Sequence, residues 1–428
     1  AGDAARPERV RASPYIVAGP RLEMSESART IQVAGRSELR FRSARGLQGE
    51  RRSRATPVII RADRLLHIDG QGNVVRFVEN VVARSGDDEL RADQLTITLE
   101  DVAAPTPSRR PRPRMDAWDF VVDAARALAR GEAPSLSTAA PQRTTRPADG
   151  ARDSLRKEIV RIKAENAVAQ NETTEPGDAQ PLMHSSLAAA VMDVDVVQRV
   201  IRTSGRTTLL MTNRRVSEDD SPGREALGLP SALVTRGASQ TAMQCDGAMT
   251  YVFGESGPQR QDDVLFEGGV VLVHKAGREM VNIDQMLPQL AGDQDALARM
   301  KSRNAYLECR RLEVAFRSAA NEAAADASGL SARSNLRLNW LMASGDVYLR
   351  DKQGTGTRSV NADSVEFDRA HGLVRVLGTP SVDARVQFED PAAGRFDQPA
   401  IGPLFIIDLQ ANTVRTDRVE GIFRRGGG

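Results

Sequence analysis

Residues 90–99, LRADQLTITL, contain the pattern on which the fold of this chain depends. The apolar residues at positions 90 and 92 are even-numbered, whereas those at positions 95, 97 and 99 are odd-numbered. Successive side chains of a strand point to opposite faces, so an uninterrupted strand would separate the two sets. An extra residue at the Ala92-Asp93 step would let both sets face one core. The stretch therefore predicts a β-strand that bends where a small residue precedes Asp.

The same frame recurs at residues 60–65 (IRADRL) and 360–367 (VNADSVEF), and residues 307–316 (LECRRLEVAF) and 243–246 (MQCD) have Cys in place of Ala. A small residue suits a tight bend, and the Asp carboxylate can accept hydrogen bonds from backbone N–H groups there. Both cysteines, Cys245 and Cys309, are therefore interpreted as small buried residues. We interpret the following as structural corner residues, not acids or bases: Ala62, Asp63, Ala92, Asp93, Cys309, Ala362 and Asp363.

A second element is shared by residues 75–83 (VRFVENVVA) and 161–169 (RIKAENAVA), with looser copies at 266–272 (FEGGVVL) and 342–349 (MASGDVYL). Each copy is an apolar strand, a polar or Gly-containing break, and a second apolar strand. Turn signals such as DGQGN at 69–73 separate the elements. Short strands at this density predict antiparallel meanders in a sandwich, jelly roll or solenoid.

Residues 101–150 differ, because they are rich in Pro, Arg and Ala and contain a helix-like run from Met115 to Arg130. Helical propensity also favours a helix from residue 154 to 169, but the Glu165-Asn166 match favours a strand in its second half. Polar loops are expected over residues 171–180, 217–228 and 319–331.

Four segments follow from these patterns. They are N-terminal β repeats (1–100), an insertion with a short helix (101–150), middle β repeats with loop insertions (151–300) and C-terminal β repeats (301–428).

Charge and composition exclude some functions. The 59 Lys and Arg against 57 Asp and Glu give a net charge of +2, and aromatic residues are only 4%, so nucleic acid is not an expected partner. No apolar run reaches the roughly 18 residues that a membrane-spanning helix needs. The start at Ala1, not Met, is compatible with a fragment of a longer exported or anchored protein.

Residues with catalytic or metal-binding spacing are not found. The four histidines lie far apart, no phosphate-binding glycine motif occurs, and the acidic pairs at 87–88 and 262–263 adjoin turn signals, where solvated charge is expected. We therefore expect no enzyme activity, no cofactor and no metal. Two acids brought together by the fold would instead suit a carbohydrate-active β-solenoid enzyme.

The order of apolar strand, Gly- or Asn-containing break, and Leu-x-Ala-Asp-x-Leu-x-Ile resembles the OstA/LptA-like family of lipopolysaccharide-transport proteins, most clearly over residues 57–100 and 332–390. The resemblance implies a periplasmic, twisted β-jelly roll whose sheets form an apolar groove for acyl chains. It also implies end-to-end strand pairing with related jelly rolls. The implied partners are lipopolysaccharide or a similar amphiphilic lipid and other OstA-like proteins, and a homo-oligomer is compatible with such pairing.

Alternation along the strands selects the candidate groove residues. They are Ile60, Leu65, Phe77, Leu90, Leu95, Ile97, Leu99, Phe266, Leu272, Val314, Phe316, Leu338, Trp340, Val365 and Phe367, with Val374 and Val376. The same alternation fits an ordinary closed core equally well. A self-associating structural scaffold without lipid is therefore the main alternative function. Residues 404–409 and 419–423 are the candidate docking edges.

Overall fold

The computed structural model of the chain is built of antiparallel β-strands. It describes residues 8–12, 15–45, 47, 51–102, 156–173, 182–214, 238–254, 261–276, 305–318, 336–353, 356–379, 381–390, 395–396, 399–408 and 413–416. Within these ranges there are 24 strands and no helix, so the all-β prediction is confirmed and the fold is consistent with a β-jelly roll type. The predicted helix at 115–130 and the predicted loops at 217–228 and 319–331 lie outside the described residues.

The chain divides into two compact units, Ala1–Glu165 with Asp195–Val197, and Asn166–Val194 with Gln198–Gly428. The boundary at residues 165 and 166 falls inside one strand, β10 (Arg156–Thr173). The predicted strand in the second half of residues 154–169 is therefore confirmed. Strand β10 begins at Arg156, so it also includes most of the first half of this stretch, where helical propensity favours a helix. Strand pairing overrides that weak local preference.

Unit 1 contains β1 (Glu8–Ala12), β2 (Tyr15–Gly19), β3 (Arg21–Ser25), β4 (Thr30–Ala34), β5 (Ser37–Arg45), β6 (Arg51–Ala62), β7 (Leu65–Asp69), β8 (Val74–Ser85) and β9 (Asp88–Val102). They pair as two half-sheets that share the long strands β8 and β9. Half-sheet 1A has the order β1-β2-β5-β6-β8-β9 and uses residues 81–85 and 88–92 of the last two strands. Half-sheet 1B has the order β3-β4-β7-β8-β9 and uses residues 74–78 and 94–98.

Unit 2 contains β11 (Met183–Asp195), β12 (Val200–Asn213), β13 (Ser239–Cys245), β14 (Ala248–Val252), β15 (Gln261–Ala276), β16 (Ala305–Ser318), β17 (Leu336–Gln353), β18 (Gly356–Asp368), β19 (Leu373–Leu377), β20 (Ala384–Asp390), β21 (Arg395–Phe396), β22 (Ala400–Gly402), β23 (Leu404–Asp408) and β24 (Thr413–Thr416). Half-sheet 2A has the order β12-β13-β15-β16-β17-β18-β20, with β21 and β22 beside β20. Half-sheet 2B has the order β12-β14-β15-β16-β17-β18-β19-β23-β24.

The long strands pass from one half-sheet to the other through a corner of left-handed backbone. Glu79 and Asn80 in β8 have φ of 72° and 49°, and Gly268 and Gly269 in β15 have φ of 83° and 73°. Gly345 and Asp346 make the same corner in β17, with φ of 77° and 53°. These pairs are the polar or Gly-containing breaks of the second repeat, and they allow one strand to pair in both half-sheets of its unit.

The corner corrects one sequence prediction. Val78 pairs with Gln94 and Val81 with Ala92, so two residues of β8 lie opposite Asp93 alone. The extra residue is therefore on the neighbouring strand, at Glu79-Asn80, and not at the Ala92-Asp93 step. The predicted change of parity is nevertheless present in β9, where residues 93 and 94 are both exposed and positions 90, 92, 95 and 97 are buried.

The first strands of unit 1 are short and change half-sheet at abrupt turns. A Cβ atom on Gly19, between β2 and β3, would lie 2.1 Å from Cγ1 of Val33, so the chain can turn closely there only with glycine. The last strands of unit 2 behave similarly at Gly402-Pro403, between β22 and β23. Long bent strands thus occupy the middle of the half-sheets, and short strands occupy one end of each unit.

Candidate functional site

Most candidate groove residues are inaccessible to water. Ile60 and Phe77 are 0% exposed, and Phe266 is 1% exposed. The other buried candidates are Leu90, Leu95, Ile97, Leu272, Val314, Leu338, Val365, Phe367, Val374 and Val376. In each unit these side chains line the buried faces of both half-sheets, as they do between the layers of a sandwich or jelly roll.

Four candidates are only partly buried. Two of them show why the alternation of residues along the sequence did not predict burial. Leu65 is partly exposed and Leu66 is the buried residue, so the even-numbered positions 60, 62 and 66 are buried on both sides of the exposed pair Asp63-Arg64 and the expected change of parity does not occur. Trp340 lies on the other face, where its indole Nε1 donates a hydrogen bond of 3.0 Å to Glu366. An irregularity in the pairing of β16 with β17 at Ala315 and Phe316 produces that change. The remaining two are Leu99 and Phe316.

The small corner residues and the acidic corner residues differ in burial. Ala62, Ala92 and Cys309 are buried, and Ala362 is partly buried. The carboxylates of Asp63, Asp93 and Asp363 are on exposed residues. Asp63 accepts a 3.1 Å hydrogen bond from the side-chain amide of Asn80, and its own backbone N–H donates to the carbonyl of Glu79 at 2.9 Å.

The cysteine thiols are buried and free at the corners, as the repeat indicated. Burial raises the pKa of the Cys309 thiol to about 12 and also raises the pKa of Cys245. A thiol with a raised pKa is a poor nucleophile, so both cysteines act as small packing residues at neutral pH.

One margin of unit 1 carries partly exposed apolar side chains. Leu22 and Met24 of β3, together with Ile68 of β7, pack against the buried Ile31 of β4. They lie at the end of half-sheet 1B, because β3 pairs only with β4 among the described strands. The apolar interior of unit 1 therefore reaches partly exposed positions at this edge.

The docking edges predicted at the C-terminus need correction. Strand β23, which contains the predicted residues 404–408, is paired on both sides, with β19 and with β24. The edge strand of half-sheet 2B in the described part of the chain is β24, and its inward-facing Val414 is 48% exposed. The second predicted edge, residues 419–423, lies outside the described residues.

Two acidic residues expected in solvent are buried. Asp262 is 0% exposed, and its carboxylate accepts hydrogen bonds from Tyr251 Oη at 2.6 Å and from the backbone N–H of Gly254 at 3.0 Å. Asp88 is 3% exposed. Both occupy alternate positions in line with buried apolar residues of their own strands. That alternation is the sequence signal from which their burial could have been predicted.

His274 is the buried histidine of the described chain, with 1% of its surface exposed. Its Nδ1 lies 2.9 Å from Oγ1 of Thr241 on the adjacent strand. Burial lowers the pKa of the imidazole to about 4, so the ring is neutral at physiological pH. His274 lies two residues after the buried Leu272, on the same face of β15, so its burial is predictable from the sequence.

Among the described residues no group of three or more His, Cys, Asp or Glu side chains is arranged to hold a metal ion. The same ranges contain no helix with the length and apolar character of a membrane span. Comparison of the sequence with protein-family models and with curated proteins found no match in either set.

Proposed function

We propose that this chain is a periplasmic module that binds or transports lipopolysaccharide or a similar amphiphilic lipid. It shields acyl chains between its half-sheets and docks end to end with related β-jelly rolls. The observation that carries the proposal is the bent strand, since β8, β9, β15, β16, β17 and β18 each contribute an apolar face to two half-sheets. Such strands keep the apolar surface continuous through the corner.

Shielding an acyl chain from water has a large energetic benefit. Moving a CH₂ group into water costs about 0.8 kcal/mol, so an acyl chain of about twelve carbons would face roughly 9 kcal/mol without protection. A continuous apolar interior removes most of that cost. The partly exposed side chains of Leu22 and Met24 offer an entry point at the edge of half-sheet 1B.

The open strand edges support the docking part of the proposal. Within the described residues β3 and β24 each pair on one side only, so each presents an outer edge at which a strand of another chain can be added. Strand β3 carries the exposed pair Arg21 and Glu23 on its outer face, and charges of this kind limit unspecific edge pairing.

Native mass spectrometry with lipopolysaccharide tests the lipid-binding proposal. Met24→Lys places a charge on the inward face of β3, whereas Glu23→Lys places the same charge on the exposed outer face of the same strand. The parent and Glu23→Lys should retain lipopolysaccharide, and a folded Met24→Lys should retain much less.

A self-associating scaffold without lipid is the second candidate, and the near-complete burial of Ile60, Phe77 and Phe266 favours it because a closed core would look the same. The scaffold predicts that the delipidated chain assembles by itself in analytical ultracentrifugation and that no variant or parent retains lipopolysaccharide. That combination of results would replace the lipid proposal.

A further inference from the structure

The outer face of half-sheet 1A is rich in arginine. Its side chains alternate along the strands with the buried residues Leu39, Ile60 and Ala83, so they point away from the core of unit 1. The charged side chains described on this face of β5, β6, β8 and β9 are five arginines and two glutamates, namely Arg40, Arg42, Arg61, Arg84, Arg91, Glu38 and Glu89. The face therefore carries an excess of three positive charges.

Strand pairing places four of these arginines in two adjacent rows across the half-sheet. One row is Arg40, Ile59, Arg84 and Glu89, and the next row is Glu38, Arg61, Val82 and Arg91. Neighbouring strands lie about 4.8 Å apart and adjacent rows about 7 Å apart, so these rows span about 14 Å by 7 Å. The positive charge is therefore spread over a surface and not focused on one point.

The arginines extend farther into solvent than the glutamates between them. Glu89 accepts hydrogen bonds from Nε of Arg84 at 2.6 Å and from Nε of Arg91. The side chain of Glu89 is only 17% exposed, whereas those of Arg84 and Arg91 are 58% and 61% exposed. The acid therefore lies at the base of the surface, and the guanidinium groups form its outermost layer.

The second glutamate is held in the same way. Glu38 is partly buried and accepts hydrogen bonds from Nε of Arg40 and, at 2.8 Å, from Nε of Arg61. Burial raises the pKa of Glu38, but the hydrogen bonds from the two arginines outweigh burial and lower it overall. Since these bonds use Nε, the four N–H groups on the Nη atoms of each arginine take no part in them.

The other half-sheet of unit 1 lacks this charge excess on its outer face. Strands β3, β4, β7 and β8 carry two arginines and two acids there, Arg21, Arg76, Glu23 and Asp69. These charges cancel within the face. The positive excess is therefore a property of one face of half-sheet 1A and not of unit 1 in general.

Guanidinium groups arranged in this way suit a partner that presents many phosphates. The planar guanidinium can donate two parallel hydrogen bonds to one phosphate. A single phosphate can contact only one or two arginines of a patch about 14 Å long. A bilayer with anionic phospholipids presents phosphates across its whole surface and attracts each nearby arginine.

We propose that the outer face of half-sheet 1A docks the chain on a bilayer that contains anionic phospholipids. The residues that contact the lipid phosphates are Arg40, Arg42, Arg61, Arg84 and Arg91. This inference goes beyond the proposed lipid-binding function, because the docking face lies outside the apolar interior and requires no bound amphiphile.

Vesicle co-sedimentation of the full chain tests the docking face. One set of vesicles contains phosphatidylcholine alone, and the other contains equal parts of phosphatidylcholine and phosphatidylglycerol. The parent should bind only the second set, and binding should be lost at about 0.5 M salt, where exposed charges are screened. Arg84→Gln combined with Arg91→Gln should weaken binding by roughly 30-fold, which is about fivefold for each charge.

The matched control is Arg21→Gln combined with Arg76→Gln. It removes the same charge from the outer face of half-sheet 1B and should change binding by less than about twofold. Glu89→Gln removes a negative charge from the docking face and should strengthen binding by about two- to fivefold. Each variant should have the circular-dichroism spectrum of the parent, so a gain and a loss on one face are both read from folded chains.

Each result decides for or against the docking face. Equal losses in the two double variants would overturn the assignment to half-sheet 1A. Equal binding of both vesicle sets, or binding of neither, would overturn membrane docking itself. Docking would also fail if the Arg84 and Arg91 variant bound vesicles like the parent but retained less lipopolysaccharide in native mass spectrometry, since the face would then contact the cargo. Vesicle binding without any retention of lipopolysaccharide would overturn the proposed cargo and support docking.

Discussion

Single residues set the corners of this fold, and glycine is needed at only some of them. Glu79, Asn80 and Asn166 adopt left-handed backbone in strands where β15 uses Gly268 and Gly269. Asn takes this conformation more readily than most residues because its short polar side chain can bond locally. At Asn80 the side-chain amide donates to Asp63, which lies between β6 and β7, and this bond helps to hold the corner.

The adjacent glycines of β15 allow a matched test of backbone strain and steric contact. Both have positive φ, but a Cβ on Gly268 would lie 2.8 Å from the Cα of Gly247, whereas the nearest atom to a Cβ on Gly269 is 3.7 Å away. We expect Gly269→Ala to lower the free energy of unfolding by about 1 kcal/mol and Gly268→Ala by about 2–4 kcal/mol. Urea denaturation measures both, and equal losses would contradict the contact.

His274 predicts a pH dependence of stability. Its pKa falls from 6.5 to about 4 on folding, so the unfolded chain binds more protons between these values. Stability is fully retained above about pH 6.5 and should decrease by roughly 3 kcal/mol as pH falls to about 4. Comparing the free energy of unfolding of the parent and His274→Gln across this range isolates the effect.

The matched control for this pH dependence is His371→Gln, because His371 is exposed and pairs with Asp368 at 2.6 Å. The His371 variant should lose stability at acid pH as the parent does. The stability of the His274 variant should depend much less on pH over the same range. An unchanged pH profile in His274→Gln would contradict the prediction.

Alternation along a strand was enough to identify most buried residues, including Ile60, Phe77 and Phe266, from the sequence. It failed at Leu65, where the expected shift of phase does not occur, and at Trp340, where an irregular pairing shifts the phase. It was also not applied to polar residues, so Asp262 and His274 were left out although both lie in phase with buried neighbours. Partner strands, and not local propensity, decide these positions.

At the scale of the strand, the left-handed pair is the element that makes bending possible. In β8 the pair Glu79-Asn80 lies opposite Asp93, in β15 the pair Gly268-Gly269 lies opposite Arg310, and β17 repeats the arrangement. The sequence revealed these breaks as a repeat, but it could not show on which of two neighbouring strands the extra residue lies. Only the register of the pairing decides that.

Replacing the corner of β8 tests the element directly. Exchange of Glu79-Asn80 for Val-Val should lower the free energy of unfolding by about 2–4 kcal/mol, because β-branched residues resist positive φ. Exchange for Gly-Gly should change it by no more than about 1 kcal/mol, since relief of backbone strain offsets the lost Asn80 hydrogen bond.

The control for the β8 exchange is Arg76→Val, at an exposed position of the same strand with ordinary backbone. It should change stability by less than about 0.5 kcal/mol. If the Val-Val variant is as stable as this control, the left-handed corner does not limit the strand.

At the scale of the whole molecule, stability should vary from the middle strands to the edges. Strands β16 and β17 pair on both sides through both half-sheets of unit 2, whereas β3 and β24 pair on one side only within the described residues. The all-β class and the repeated elements were predictable from turn spacing. The assignment of half-strands to two half-sheets was not, because pairing between distant residues determines it.

Hydrogen exchange followed by mass spectrometry measures this gradient. Amides of β16 and β17 should exchange most slowly, because their opening requires disruption of both half-sheets, and amides of β3 and β24 should exchange fastest among the described strands. Exchange of β3 and β24 as slow as that of β16 and β17 would contradict this gradient.

The bent hairpin also has a consequence for how such chains change length. Because β8 and β9 are joined at Gly86-Asp87 and each run through half-sheets 1A and 1B, a duplicated copy of that hairpin would add the same two strands to both half-sheets at once. The copy would carry its own corner and its own inward side chains, so the surrounding strands would need no compensating change. Duplication of one hairpin, not recruitment of a new domain, is therefore the smallest step by which this architecture can grow.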